Sequence, residues 1–278
     1  MKRPAFGTSL ANTAIGKIYV SRGIEMKIDL HVHTSHSFDC KSRVEDVVRS
    51  AEEAGLDAIA ITDHDTRSAV ELASGLARHV TIIPGTEISS WKGIHIIGLF
   101  IHNEIVSRDI FEIIDEIHLQ GGLAVIPHPF RHSTGLLYGK EKHHLFSGED
   151  LKEIMSRIDL VEVINYGCKS EENIEANTYF EAFPDLPQIA GSDAHEPSAI
   201  GRAYVEIPDA KTDNLDRIKR ALLKSSRVIR YEAFDIDGDS RKEKYLAGQG
   251  KNIFSNLKGS LIKIMARINR RSESGDGP

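Results

Sequence analysis

The sequence has few of the features that mark secreted, membrane-spanning or dinucleotide-binding proteins. Its 278 residues contain two cysteines, Cys40 and Cys168, which form no CxxC arrangement. So few thiols give no disulfide framework, and this favours a reducing, cytoplasmic location. No stretch approaches roughly 18 consecutive apolar residues, so no membrane span is predicted. No glycine-rich phosphate fingerprint follows a predicted strand, which argues against a dinucleotide-binding sheet.

Net charge is unevenly distributed along the chain, with an excess of positive charge near the C-terminus. Residues 240–271 hold nine Lys or Arg and one acid, a net charge of +8, so the remainder carries −14 because the whole chain carries −6. Residues 236–278 are predicted to form a linker, a basic amphipathic helix (251–271) and a disordered tail. This helix is a candidate to bind nucleic acid, an anionic membrane or a second subunit, or to pack on its own domain.

The first 25 residues are predicted to be an N-terminal extension, because polar residues interrupt any apolar signal-peptide core. From residue 26 to residue 235, apolar runs of strand length alternate with segments of helical period. The predicted strands are residues 27–33, 57–62, 80–84, 94–101, 123–126, 160–165, 188–190, 203–207 and 228–230. The predicted helices between them are residues 43–54, 68–78, 105–120, 148–157, 171–183 and 213–223. This alternation predicts an α/β fold of parallel strands and crossover helices, most simply a barrel.

Residue types that bind metals recur where the predicted strands end. His31 and His33 are two positions apart on a predicted strand, so both side chains point to the same face. Residues of the same kind occur in segments 29–33, 62–65, 85–87, 95, 127–129 and 191–195. The carboxyl ends of barrel strands share one rim, so these imidazoles and carboxylates are predicted to converge there. A multinuclear metal site, and therefore a hydrolase, is the function that this pattern indicates.

Six motifs, DLHVHT, ITDHD, PGTEIS, HIIG, IPHP and GSDAH, occur in this order. In type and order they closely resemble those of the PHP (polymerase and histidinol phosphatase) family, over about residues 27–207. The resemblance implies a distorted seven-stranded (β/α) barrel that holds two or three divalent metal ions. It also implies hydrolysis of phosphate esters by metal-activated water, because clustered cations create hydroxide at neutral pH.

The resemblance further implies the metal ligands. A first ion would be held by His31, His33, Glu87 and Asp193. Glu87 would bridge to a second ion completed by His95 and His128, and a third ion would be held by Asp39, His64 and His195. Five of these residues, His31, His33, Glu87, Asp193 and His195, are also predicted to be catalytic. All nine ligands offer nitrogen or oxygen, which fits Mn, Fe or Zn.

Several assignments stay open in the sequence. His36 lies close to Asp39 and is the alternative ligand at that position. Asp63 and Asp65 flank His64 and could orient an imidazole, although Asp65 could instead cap the next helix. Trp91 could form a pocket wall or be an ordinary loop aromatic, and Cys168 is interpreted as a bystander rather than a nucleophile.

Three basic residues are candidates to bind the substrate phosphate. Arg131 and His132 directly follow the motif of His128, and Arg202 follows the motif of Asp193 and His195. The alternative for each is an ordinary surface charge, and this alternative is stronger for Arg202 than for Arg131. The predicted substrate is a phosphorylated small molecule, a nucleotide or a short oligonucleotide. The alternatives are a histidinol-phosphate phosphatase and a metal-binding regulatory module without catalytic activity.

Overall fold

The computed structural model describes residues 25–138, 145–208, 210–224 and 227–232. The N-terminal extension predicted up to residue 25 lies outside these ranges except for its last residue. The predicted C-terminal linker, basic helix and tail also lie outside the described residues. In the described part of the chain, no helix is long and apolar enough to cross a membrane.

Nine strands and six α-helices follow one another in the described residues, as the sequence pattern predicts. The strands are β1 (Met26–Val32), β2 (Ala58–Ile61), β3 (Thr81–Ser89), β4 (His95–Leu99), β5 (Leu123–Ile126), β6 (Leu160–Asn165), β7 (Gln188–Gly191), β8 (Ala203–Ile207) and β9 (Val228–Tyr231). The helices are α1 (Val44–Glu53), α2 (Val70–Leu76), α3 (Ile110–Leu119), α4 (Gly148–Arg157), α5 (Ser170–Phe180) and α6 (Leu215–Lys224).

Helix α1 shows how the sequence builds the outer layer. Val44, Val47, Val48 and Ala51 are buried, and their helical spacing places them on one face of the helix. Their packing beside the buried strands removes apolar surface from water, which is the main favourable term in folding. Asp109 caps the N-terminus of α3, because its carboxylate accepts hydrogen bonds from the Phe111 and Glu112 N–H groups.

The strands form one sheet in the order β7-β6-β5-β4-β3-β2-β1-β8-β9. The prediction of parallel pairing is correct for β1–β2–β3 and for β5–β6–β7. It is wrong for β4, which is antiparallel to both of its neighbours, and for the pairs β1–β8 and β8–β9, which are also antiparallel. Strand β4 is antiparallel because residues 90–94 form a hairpin that is too short for a crossover helix. The reversal brings the first residue of β4, His95, to the rim where the parallel strands end.

The sheet is a nearly closed barrel. The segment after β7 runs beside β1, where the Asp193 N–H donates to the His31 carbonyl (2.7 Å) and the His33 N–H donates to the Ala194 carbonyl (3.1 Å). Strands β8 and β9 continue the sheet beyond β1, on the edge opposite β2. The fold is therefore the distorted α/β barrel that the sequence predicts. The seam of this barrel lies between β1 and the segment after β7, and it brings the predicted ligands His31 and His33 next to Asp193.

Candidate metal centre

Four buried side chains meet at the seam between β1 and the end of β7. His31 Nε2 lies 3.0 Å from Glu87 Oε2 and 3.4 Å from Asp193 Oδ1, and His33 Nε2 lies 3.3 and 3.2 Å from the same two oxygens. The two imidazole Nε2 atoms are themselves 3.1 Å apart. These four residues are the set that the resemblance implies for a first ion, and their donor atoms face a common point.

The second oxygen of Glu87 faces a different pair of imidazoles. Its Oε1 atom lies 2.7 Å from His95 Nδ1 and 2.9 Å from His128 Nε2. Glu87 itself is almost fully buried inside β3. Since its two oxygens point to separate groups of nitrogens, the carboxylate has the geometry of a bridge between two cations.

A third group surrounds Asp39 at the outer side of the cluster. Its Oδ2 atom lies 3.0 Å from His195 Nε2 and 3.4 Å from His64 Nε2. His64 also lies between the groups, because its Nδ1 is 3.6 Å from Glu87 Oε2. His36, the alternative to Asp39, instead contacts the Ser68 hydroxyl through Nδ1 at 2.7 Å. The geometry therefore favours Asp39 over His36.

The nitrogen and oxygen atoms of the predicted ligands are better placed to bind cations than to form hydrogen bonds with one another. Buried Asp193 Oδ1, His64 Nδ1 and His128 Nδ1 accept or donate no hydrogen bond among the described residues. Burial alone would lower the pKa of His33, but Asp193 and Glu87 raise it to about 9. The pKa of Glu87 is held well below its usual value despite its burial, because His31, His95 and His128 favour its charged form. Such a concentration of negative charge and lone pairs attracts positive ions.

Comparison with known proteins gives the family of this fold and cluster. The family model named PHP domain matches residues 29–185, which is more than half of the chain, and a model named PHP-associated matches residues 171–226. The chain belongs to the PHP domain family. This match confirms the family predicted from the sequence, and it supports the prediction of a hydrolase.

The relatives of this PHP domain extend from an archaeal protein to nucleases. An uncharacterized protein of Methanocaldococcus jannaschii is 32% identical over an alignment of 227 positions, which covers 74% of this chain and 89% of that protein. The 5′-3′ exoribonuclease Rnm of Salmonella typhimurium is 40% identical over an alignment of 102 positions, which covers only 34% of this chain and 31% of Rnm. Rnm is therefore similar to this chain over about a third of its own length.

Two solved structures share the fold at low sequence identity. One is a two-domain protein of Bacteroides vulgatus that contains a predicted PHP-like metal-dependent phosphoesterase, with a TM-score of 0.59, 21% identity and coverage of 76% of this chain and 66% of that one. The other is Endonuclease Q, in complex with a 27-mer duplex substrate that has an abasic lesion at the active site. Its TM-score is 0.56, its identity 16% and its coverage 72% of this chain and 56% of its own.

The PHP domain contains one buried acid at the centre that the sequence argument did not identify. Glu162 Oε1 lies 3.1 Å from His31 Nδ1, and its Oε2 accepts hydrogen bonds from the His128 backbone N–H and the Asn165 side-chain amide, both at 2.8 Å. A carboxylate on Nδ1 directs the imidazole so that Nε2 is free to bind a metal. The available signal was an acid inside the otherwise apolar strand LVEVIN.

We expect Glu162→Gln to lower the metal affinity of the PHP domain by about 10–100-fold, because the amide weakens the bond that orients His31. Competition between the protein and a chelator of known affinity measures this change. The control is Glu206→Gln, which also changes a buried strand carboxylate, but one that pairs with Arg230 of β9. Equal metal affinity in Glu162→Gln and wild type would contradict the role given to Glu162.

Two residues of the cluster have a backbone conformation that is uncommon for residues with a side chain. His128 has a φ of 26° and Asp193 a φ of 52°. Such conformations cost about 1–3 kcal/mol each and persist where the surroundings enforce them. His128 is fixed by the bond from its N–H to Glu162, and Asp193 by the bond from its N–H to the His31 carbonyl.

Asp63 and Asp65, which flank His64, bind neighbouring backbone and side-chain groups rather than an imidazole. Asp63 accepts hydrogen bonds from the backbone N–H and the hydroxyl of Thr34. Asp65 accepts from the Ser89 N–H (2.9 Å) and pairs with Arg108 (2.9 Å). Helix α2 begins after Ala69 without a side-chain cap, so the expectation that Asp65 caps it is wrong. Both aspartates instead hold the loop that carries His64.

A cleft of about 460 Å³ opens beside the metal-ligand cluster. Arg131, Lys169, Asp193 and His195 are among its lining residues, with Tyr166, Gly167, Cys168, Ser192, Glu196 and Ala199. Arg131 donates to Asp193 Oδ2 at 2.5 Å and to the Gly167 carbonyl at 3.1 Å. Its guanidinium is partly exposed and thus lies between a predicted metal ligand and the open cleft.

The other predicted substrate residues are placed differently. His132 does not line the cleft; its N–H donates to Glu172 and its ring packs on Tyr138. Arg202 donates to the Glu232 carboxylate and to the Ser198 carbonyl, so its guanidinium is already paired. Trp91 is 83% exposed in the β3–β4 hairpin and is no wall of this cleft.

Cys168 lines the cleft without the properties of a nucleophile. Burial raises the pKa of its thiol far above the usual value, and neighbouring Arg131 only partly opposes this shift. A nucleophilic cysteine requires the thiolate form. This electrostatic environment agrees with the interpretation of Cys168 as a bystander.

Proposed function

We propose that this PHP domain hydrolyses phosphate esters with two or three divalent cations of Mn, Fe or Zn. The observation that carries the proposal is Glu87, whose two buried oxygens face separate imidazole pairs at 2.7–3.3 Å. The first ion would be held by His31, His33, Glu87 and Asp193, the second by Glu87, His95 and His128, and the third by Asp39, His64 and His195. When bound, such cations activate water and offset charge that develops on phosphate oxygens.

The chain's own residues would supply positioning and selectivity. Glu162 and the seam bonds fix the directions of His31 and Asp193. Arg131 holds Asp193 and presents its remaining N–H groups to the cleft, where a phosphate oxygen could accept them. Lys169 adds positive charge to the same cleft. Phosphate binding by His132 and Arg202 stays a prediction. In the structure both residues already have protein partners.

The proposed substrate is a nucleotide, a short oligonucleotide or another small phosphorylated molecule. The similarity to the exoribonuclease Rnm and the shared fold of Endonuclease Q support the nucleotide class. Histidinol phosphate and a regulatory metal-binding module without turnover are the alternatives. We further propose residues 26–235 as the hydrolase unit in the cytoplasm, with the basic segment 251–271 as a contributor to nucleic-acid binding.

A phosphate-release screen tests the function directly. Protein of measured metal content is supplied with Mn, Fe or Zn and offered nucleoside monophosphates, short oligonucleotides, histidinol phosphate and simple sugar phosphates. We expect metal-dependent turnover, fastest on a nucleotide or oligonucleotide. Turnover only on histidinol phosphate would select the first alternative, and metal binding without turnover on any substrate would select the second.

Matched variants in the same screen test the ligand assignment. We expect His31→Ala, Asp39→Asn and Asp193→Ala to lose metal and activity together, because each removes a donor atom from the cluster. His36→Ala is the control, since it removes a histidine from the same segment that contacts Ser68 instead. Full activity in His31→Ala and Asp193→Ala would overturn the assigned site.

A further inference from the structure

Phe38 is a large apolar side chain that faces solvent at the metal-ligand cluster. Its side chain is 82% exposed, although it lies in sequence between Ser37 and the predicted metal ligand Asp39. One face of its ring stacks on the His64 imidazole, with a centroid distance of 5.0 Å and an angle of 24° between the planes. The opposite face of the ring is open to water.

The turn around Phe38 fixes this position. The Ser37 hydroxyl donates to Asp39 Oδ1 at 2.9 Å, and the His64 N–H donates to the Ser37 hydroxyl oxygen at 3.1 Å. Ser37 also joins the turn by backbone bonds to Thr34 and Cys40. The residues before and after Phe38 are therefore held, and the phenyl ring stays beside His64 instead of turning into the core.

Leaving a phenylalanine exposed forgoes about 1.5–3 kcal/mol of hydrophobic stabilisation. In the described part of the chain few large apolar side chains are so exposed, and Phe38 is the one stacked on a residue of the cluster. An imidazole that binds a cation becomes electron-poor, which strengthens its attraction to the face of a phenyl ring. The stack thus holds Phe38 against the site while one aromatic face stays available.

We propose that Phe38 is a specificity-determining residue that stacks on the nucleobase, or an equivalent aromatic ring, of the substrate. The inference rests on the proposed phosphoesterase function and names the feature that selects its substrate. A phosphate at the cluster leaves the base, one sugar away, free to reach an aromatic face at the rim. The cleft with Arg131 and Lys169 lies beside Asp193 and His195, so it remains free for further phosphates or a longer chain.

The experiment compares Phe38→Ala, Phe38→Leu and Phe38→Tyr on adenosine 5′-monophosphate and on ribose 5-phosphate, which has the same phosphate and sugar but no base. Base stacking on an aromatic side chain is worth about 1–3 kcal/mol, a factor of roughly 5–150. We expect Phe38→Ala to raise KM for the nucleotide by such a factor with little change in kcat. Its KM for ribose 5-phosphate should stay the same. Phe38→Tyr should behave as wild type, and Phe38→Leu should resemble Phe38→Ala because it keeps apolar bulk without a ring.

Equilibrium binding of both ligands, measured by calorimetry with metal content determined on the same samples, separates the outcomes. Loss of affinity for both ligands together with loss of metal would show that Phe38 only supports His64, and would overturn the inference. Unchanged nucleotide binding in Phe38→Ala would overturn it as well. Base-dependent binding without turnover in wild type would sustain the role of Phe38 and reject the phosphoesterase function.

Discussion

Replacing Glu87 by Gln is expected to remove most of the bound metal and most of the phosphoesterase activity. The substitution keeps the shape of the side chain but turns one acceptor oxygen into an NH2 donor that faces imidazole nitrogens within 3.3 Å. Breaking a buried charge interaction by changing one partner costs about 3–5 kcal/mol, or two to four orders of magnitude in binding. Among the described carboxylates of the cluster, Glu87 is the one whose two oxygens each face a separate pair of imidazoles.

Metal content by elemental analysis and kcat/KM as a function of added metal measure the effect. The control is Glu153→Gln, the same change at an exposed residue of α4 whose carboxylate pairs with Arg157 on the same helix. We expect this control to bind metal and turn over as wild type does. A Glu87→Gln protein with wild-type metal content would mean that the bridging geometry has no role in ion binding.

Adding one methyl group at Gly191 is expected to damage both the fold and the centre. A Cβ atom there would lie 2.4 Å from His31 Cβ and 2.4 Å from Glu162 Oε1, closer than real Cβ atoms approach. Overpacking of this kind costs about 1–3 kcal/mol, occasionally more. It would also displace His31 and its orienting carboxylate, and a displacement of about 1 Å can cost on the order of 100-fold in rate.

Denaturant unfolding gives the free-energy change for Gly191→Ala, and a phosphate-release assay on the same protein gives the rate. The control is Gly75→Ala in α2, where an added Cβ meets no heavy atom within 4 Å. Because alanine favours a helix over glycine, this control should be about 0.5–1 kcal/mol more stable than wild type. Equal stability of Gly191→Ala and wild type would contradict the tight contact between β1, β6 and β7.

The sequence was informative where chemistry and periodicity coincide. His31 and His33 could be predicted to share a face because alternation along a strand is geometric, and their convergence with Asp193 followed from the shared rim of barrel strands. Strand direction was less predictable. An apolar run does not indicate its direction, and only the short hairpin before His95 shows that β4 must be antiparallel.

Residues that act through partners distant in sequence could not be predicted in the same way. Glu162 is informative only once its neighbours His31 and His128 are known, 131 and 34 residues away. Arg202 looks like a free cation in the sequence, yet its partner Glu232 lies 30 positions later. Such pairings depend on the closed sheet, and neither composition nor local spacing encodes them.

The seam of the barrel has a consequence for how the protein is made. The buried Asp29 carboxylate accepts hydrogen bonds from the Ser192 and Gly201 N–H groups. These bonds of the first strand can therefore form only after a segment more than 160 residues later has been synthesised. A nascent chain that has emerged only through β6 carries most of the histidines but not Asp193 or His195. Its metal affinity must therefore rise sharply during the last stage of synthesis, so that ion capture and completion of the barrel become a single late event.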